Sequence, residues 1–186
     1  MILGLAGYAR SGKDTVADYL VENHGFTKIS FANPMREALV RLDPIITING
    51  GATMHLSQGL ASLTWEDLKA MSPDIRPLLQ RMGTEVGRNM FGENIWVDLA
   101  MKEASKYDKV VFADVRFKNE ADAVRSNKGA VWRIERPGVE AANSHSSEHD
   151  LDEYPCDATL KNQDDIESLG RIVEQALELQ KMFGLP

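Results

Sequence analysis

Cysteine is almost absent from this chain of 186 residues. The one that occurs, Cys156, has no partner for an internal disulfide and sits in an ordinary stretch, which suits a small packing residue better than a nucleophile. Long apolar runs are missing too, so nothing approaches the length of a membrane-spanning helix. The first residues already read as a strand, which leaves no room for a basic, cleavable signal segment. These absences lead to a soluble protein with no membrane partner, expected in the cytoplasm. Positive charge is in deficit: 21 Lys and Arg face 28 Asp and Glu, a net charge of -7. That balance speaks against nonspecific binding to a nucleic acid polymer, although a local group of arginines still suits a small phosphorylated ligand. Internal repeats, low-complexity tracts and dividing linkers are also lacking. With 43% hydrophobic residues, one domain over residues 1 to 186 with a real core is expected.

Against that plain background stands Gly7-Tyr-Ala-Arg-Ser-Gly-Lys13, which fits the phosphate-binding pattern G-x-x-x-x-G-K. Met1 to Ala6 reads as a buried strand, and Lys13 to Glu22 has helical periodicity with Val16, Ala17 and Leu20 on one face. Strand, glycine-rich turn and helix form the unit in which backbone N–H groups and a helix N-terminus wrap a di- or triphosphate. Gly7 and Gly12 let the backbone approach phosphate oxygens, Ala9, Arg10 and Ser11 complete the loop, and Lys13 supplies a point charge to the β- and γ-phosphates. The chain is therefore expected to bind a nucleoside triphosphate. The position after Lys13 lacks the usual hydroxyl: it is Asp14, with Thr15 following. Two roles are open to that carboxylate, holding hydrated Mg²⁺ or capping the first helical turn against its dipole.

Elsewhere helices alternate with short apolar strands, the sign of an α/β fold with a mostly parallel sheet covered on both faces. Five core strands are expected: Met1 to Ala6, Thr27 to Phe31, Lys109 to Asp114, Ala130 to Glu135 and Ala158 to Lys161. A long, mainly helical excursion separates the second from the third. In it Asn33 as cap with Pro34 opens one helix, Ser72 and Pro73 open another, and Asn49-Gly50-Gly51 marks a turn. The last helix is expected from about Asp165 to Phe183, with Ile166, Leu169, Ile172, Val173, Ala176 and Leu177 as a core stripe.

A second chemical signal is Val110-Val-Phe-Ala-Asp114-Val-Arg116-Phe-Lys-Asn-Glu120. A buried strand here would carry Asp114 to its C-terminal edge, where open α/β sheets place ligands and where the carboxylate can hold a Mg²⁺-bound water. Arg116 would face the same crevice and neutralise phosphate, while Glu120 either orients Arg116 or forms an ordinary helical ion pair. Arg36, in the first turn or so of the helix opened by Asn33 and Pro34, is placed to grip an acceptor's phosphate. After Ser72, Ile75, Leu78, Leu79, Met82 and Val86 mark a buried face, and Gln80, Thr84 and Arg88 recur four apart on a polar stripe. That stripe suits a nucleobase edge and a phosphate, or is a solvated face. Trp96 suits base stacking or the core.

Taken together, Gly7 to Thr15, the Leu79-Gln-Arg-Met-Gly-Thr-Glu-Val-Gly-Arg88 segment with Trp96, Asp114 to Glu120 and His145-Ser-Ser-Glu148 resemble, in this order and over nearly the whole chain, the phage-type deoxynucleoside monophosphate kinases. The Gly-Lys-Asp-Thr form of the loop is that family's own. The resemblance implies a P-loop nucleoside monophosphate kinase fold that transfers the ATP γ-phosphate to a deoxynucleoside 5′-monophosphate with Mg²⁺, in the host cytoplasm if the gene is phage-borne. It further implies a substrate-binding insertion, about residues 33 to 105, and a mobile lid, about 137 to 153, with Glu148 on the substrate side. It is also compatible with a homodimer. The lid stretch is acidic and contains no arginine, so Arg10, Arg133 and Arg136 are the alternative sources of charge for the transferring phosphoryl group.

The expected mechanism is positioning plus charge neutralisation: the loop and Lys13 hold ATP, Asp14, Thr15 and Asp114 serve Mg²⁺, and Arg36, Arg88 and Arg116 hold the acceptor phosphate. Two other readings stay open. One is a kinase for another phosphorylated metabolite of the dephospho-coenzyme A or phosphomevalonate type, and the other is a nucleotide-dependent switch without transfer.

Overall fold

All five apolar runs form strands and join into one parallel sheet. They are β1 (Ile2–Ala6), β2 (Thr27–Ile29), β5 (Val110–Phe112), β6 (Ala130–Glu135) and β7 (Ala158–Lys161), in the order β2-β5-β1-β6-β7. This computed structural model describes residues 1–140, 149–163 and 165–182. The chain divides into two compact units, Met1–Phe31 with Ala100–Pro186, and Ala32–Leu99.

In the first unit the period-two alternation of β1 sorts its side chains between the two faces of the sheet. Leu3 and Leu5 are fully buried in a cluster with Val16, Ala17 and Leu20 of α1 (Lys13–His24) and Leu169, Val173 and Leu177 of α8 (Ile166–Met182). Gly4 lies on the opposite face, where an added Cβ would stand 3.0 Å from Val115 and 3.3 Å from Val124 of α7 (Lys118–Ser126). Helices thus cover both faces, which is why β5 is apolar at every position, with Val110, Val111 and Phe112 all fully buried. One element of the expected stripe on α8 departs from it: Ile166 is 72% exposed, because as the first helical residue it precedes the stretch that packs on the sheet.

The second unit holds α2 (Asn33–Leu42), β3 (Ile45–Thr47), β4 (Thr53–His55), α3 (Leu56–Leu60), α4 (Trp65–Met71), α5 (Ile75–Gln80) and a π-helical segment, Arg81–Phe91. Leu39, Ile46, Leu56, Leu68 and Ile75 form its core. α6 (Ile95–Ala104) begins in this unit and ends in the other.

Four details differ from the sequence expectation. The Asn49-Gly50-Gly51 turn closes an antiparallel hairpin of β3 and β4, three residues each, too short to leave a pattern in a helical stretch. α2 starts with Ala32 at its cap and Asn33 already helical, without a side-chain cap bond. α5 opens after Asp74 rather than at Ser72: the Ser72 hydroxyl accepts the Asp74 N–H, and the Asp74 carboxylate accepts the Thr47 N–H at 2.7 Å, fastening the hairpin to the helix. Finally, Val86, expected on the buried face, is exposed, because from Arg81 the backbone bonds i to i+5 and the α-helical stripe slips out of phase.

Candidate active site

The glycine-rich loop leaves the centre of the sheet at the C-terminal end of β1, the edge at which open α/β sheets bind ligands. Gly7 has φ 132°, and a Cβ there would strike the Ile134 carbonyl of the neighbouring strand, so only glycine fits. Arg10 takes a left-handed φ of 68°, a conformation costing a side-chain-bearing residue about 1 kcal/mol or more. Gly12, at φ 104°, turns the loop into α1, whose first N–H groups have no intrahelical partner and form the positive end of the helix dipole. Lys13 is 8% exposed and folds back over the loop, donating to the carbonyls of Gly7 at 2.6 Å and Tyr8 at 2.7 Å. Ser11 is 2% exposed, and its hydroxyl has no partner among the described residues.

Asp14 lies in the first turn of α1, where a carboxylate complements the helix dipole. Its exposed carboxylate also pairs with Lys28 at 2.8 Å, and Lys28 reaches Asp18 at 2.9 Å. Asp114 stands just past the end of β5, as expected, with its carboxylate accepting the Phe31 N–H at 3.0 Å and the Ser30 hydroxyl. These are hard oxygen donors, suited to Mg²⁺, which keeps most of its waters and usually arrives on phosphate. No cluster of three His, Cys, Asp or Glu able to cage a metal occurs among the described residues. Asp14, Thr15 and Asp114 offer oxygen donors of that kind.

Glu120 is 6% exposed, and one of its carboxylate oxygens accepts two backbone N–H groups, Arg116 at 2.7 Å and Phe117 at 3.1 Å. It therefore caps the start of α7 and fixes the backbone from which the Arg116 side chain leaves. Arg116 in turn lines a cavity of about 410 Å³ with Gly7, Tyr8, Ala9, Ser11 and Lys13 of the loop. Five cationic residues, Lys13, Arg116, Arg133, Arg136 and Lys161, line it with two acidic ones, Glu135 and Asp152. In a chain of net charge -7 that concentration of positive charge marks a site for an anion. Arg10, exposed on the crest of the loop, is not part of the wall, whereas Arg133 and Arg136 are. Arg133 also donates to the backbone carbonyls of Leu151 and Tyr154. The Tyr8 hydroxyl donates to Asp152 at 2.9 Å, on the far side of the expected lid. A His149 hydrogen bond first, and that of Tyr8 second, hold the Asp152 carboxyl below the usual carboxylate range. Residues 141 to 148 of the lid, Glu148 among them, lie outside the described residues.

In the second unit α2 packs against α5 and the π-helical segment, with Met35 against Gly83. This sets the helix of Arg36 beside the one that carries Gln80, Thr84 and Arg88. Gln80 and Thr84 are exposed and Arg88 is half-buried. The Arg36 guanidinium lies 5.9 Å from the centre of the Trp65 ring, and its Nε is buried without a partner among the described residues. Trp96 serves the packing of this unit, since its indole N–H donates to the Gly83 carbonyl at 2.9 Å and its ring fills the space that a Cβ on Gly87 would need. Arg136, Lys161 and Asn162 gain their place from strand ends, so the boundaries of β6 and β7 are the signal for them, while Arg133 lies within β6.

The family model for deoxynucleotide monophosphate kinase matches residues 1–69 and 47–173. The chain is 31% identical over 166 residues to a provisionally named deoxynucleotide monophosphate kinase of Acanthamoeba polyphaga mimivirus, covering 81% of this chain and 82% of that protein. It is 23% identical to the deoxynucleotide monophosphate kinase of Enterobacteria phage T4, over 96% of this chain and 99% of the relative. Shikimate kinase from Aquifex aeolicus superposes with a TM-score of 0.50 at 14% identity, covering 98% of this chain and 99% of that one. That likeness concerns the fold alone, and with the observed sheet it identifies an α/β P-loop kinase fold. With the family model matching most of its length, the chain belongs to the deoxynucleotide monophosphate kinase family.

Proposed function

We propose that this chain transfers the γ-phosphate of ATP to a deoxynucleoside 5′-monophosphate, giving the diphosphate. Family membership makes it a nucleotide kinase. The observation that carries the finer reading is the electropositive cavity at the C-terminal edge of the sheet, where the glycine-rich loop meets Arg116 and Arg136. There the donor's β- and γ-phosphates take the loop N–H groups and the Lys13 amine, which exchanges its bonds to the Gly7 and Tyr8 carbonyls for phosphate oxygens. Mg²⁺, when bound, neutralises phosphate charge, with Thr15, Asp114 and Asp14 as its protein oxygens. Arg116, held through Glu120, and Arg136 stabilise charge on the transferring group, and Arg10 closes over the loop.

The acceptor belongs to the second unit. Arg36, with its buried unpartnered Nε, and Arg88 grip the 5′-phosphate, while Gln80 and Thr84 offer an amide and a hydroxyl to the base. Glu148 completes this set, and Trp96 supports it by packing through the Gly83 carbonyl. No group need act as a covalent intermediate, because in-line positioning and charge neutralisation suffice for phosphoryl transfer. A coupled assay with Mg-ATP and a panel of deoxy- and ribonucleoside monophosphates tests the proposal, with dephospho-coenzyme A and phosphomevalonate as controls. Diphosphate formed from one or more deoxynucleotides is the expected result. Transfer only to a control metabolite, or to nothing, would overturn it.

A further inference from the structure

Asn162 follows β7 directly and is 8% exposed, one of few buried polar side chains in the described residues, and no role assigned above uses it. Its own N–H donates to the Glu135 carbonyl at 2.7 Å, which fixes its backbone to the end of β6. Its side-chain amide donates to the Ser11 carbonyl at 2.9 Å, in a buried bond that joins positions 151 residues apart. A carbonyl only accepts, so the amide nitrogen is the atom that faces the loop. The same nitrogen occupies the place where a Cβ on Gly12 would stand.

The consequence follows from the planarity of the peptide. The Ser11 carbonyl and the Gly12 N–H belong to one trans peptide group and point in opposite directions. A donor that pins the carbonyl toward Asn162 therefore pins the Gly12 N–H to the opposite side of the peptide. Gly12 has the positive φ of 104° that this peptide orientation needs, and Ser11 keeps a buried, unpartnered hydroxyl on the same turn. We infer that Asn162 is a positioning residue for the donor triphosphate: acting from behind the loop, it holds the Ser11–Gly12 peptide in the orientation that receives phosphate. This rests on the proposal that the loop binds ATP.

Binding of Mg-ADP and Mg-ATP, measured by titration calorimetry on the full chain, tests it with Asn162→Asp and Asn162→Ala. Asp has the same shape but, ionised, presents oxygen to oxygen. Ala removes the donor without adding charge. Both are expected to weaken Mg-ATP binding by about tenfold or more and to raise its KM, while the KM for the deoxynucleotide stays within about twofold of wild type. Because burial raises a carboxyl pKa, Asn162→Asp should also recover part of its affinity as pH falls and its protonated form regains a donor. Mg-ATP binding within twofold of wild type in either folded variant would overturn the inference, as would an equal rise in both KM values or failure of both variants to fold. Should the wild-type chain itself bind no Mg-ATP, the donor reading falls and this one with it; normal wild-type binding with unaffected variants refutes only the role of Asn162.

Discussion

Glu120→Ala offers the sharpest test of how the site is held. The buried carboxylate accepts the N–H groups of Arg116 at 2.7 Å and Phe117 at 3.1 Å, and both donors sit where the chain turns into α7. Truncation leaves two N–H groups without this acceptor. Bonds to a charged group contribute about 1.5–3 kcal/mol each, and water reaching the new space recovers part of that. Loss of a helix cap by itself costs about 0.5–2 kcal/mol. A net destabilisation of about 2–4 kcal/mol is expected, which for a chain of this size lowers Tm by roughly 5–15 °C. Glu120→Gln keeps an acceptor oxygen without the charge and should lose about 1 kcal/mol. Urea unfolding gives both values. Turnover should fall more than stability alone explains, because the backbone that launches Arg116 into the cavity is no longer fixed. A loss below about 0.5 kcal/mol for Glu120→Ala would refute the capping role and, with it, the positioning of Arg116.

Further outcomes follow from other parts of the molecule. Lys13→Ala should reduce transfer by about 10²- to 10³-fold or more, whereas Arg36→Ala should chiefly raise the acceptor KM with Mg-ATP binding near normal; equal loss of ATP binding in both would count against separate donor and acceptor roles. Gly87→Ala drives a methyl group into the Trp96 ring and should cost about 1–3 kcal/mol, with part of it recovered in the double variant with Trp96→Leu. Additive losses in that thermal-unfolding cycle would contradict the contact. Burial first, and then a hydrogen bond to Asp122, push the Tyr154 hydroxyl up to about 12 from its ordinary 10.0. The fold favours its neutral form, so its contribution to stability is complete below pH 10 and is lost as pH rises from about 10 through 12. Tyr154→Phe should therefore flatten the alkaline stability limb, and an unchanged limb would disprove the linkage.

Much of the first unit was legible because its signals are local. The apolar runs that became β1, β5, β6 and β7 carry their burial in consecutive residues, and the loop from Gly7 to Lys13 carries its turn in two glycines whose positive φ angles no other residue type adopts as readily. Val16, Ala17 and Leu20 fell on one face since α1 keeps the ordinary helical period. The second unit was read less well for the same reason inverted. Its hairpin strands span three residues each, and the stripe of Leu79, Met82 and Val86 was counted on a period that the π-helical backbone after Arg81 does not keep.

By itself, the sequence determined the parallel sheet and the glycine-rich loop at its edge, because each depends on short-range pattern and backbone sterics. The tertiary structure alone decided which groups meet. It paired Asp14 with Lys28, brought Arg133, Arg136 and Lys161 to the cavity, and placed Asn162 behind Ser11. The last of these joins the end of β7 to the loop after β1, and a hydrogen bond between residues 151 positions apart leaves no periodic trace in either stretch.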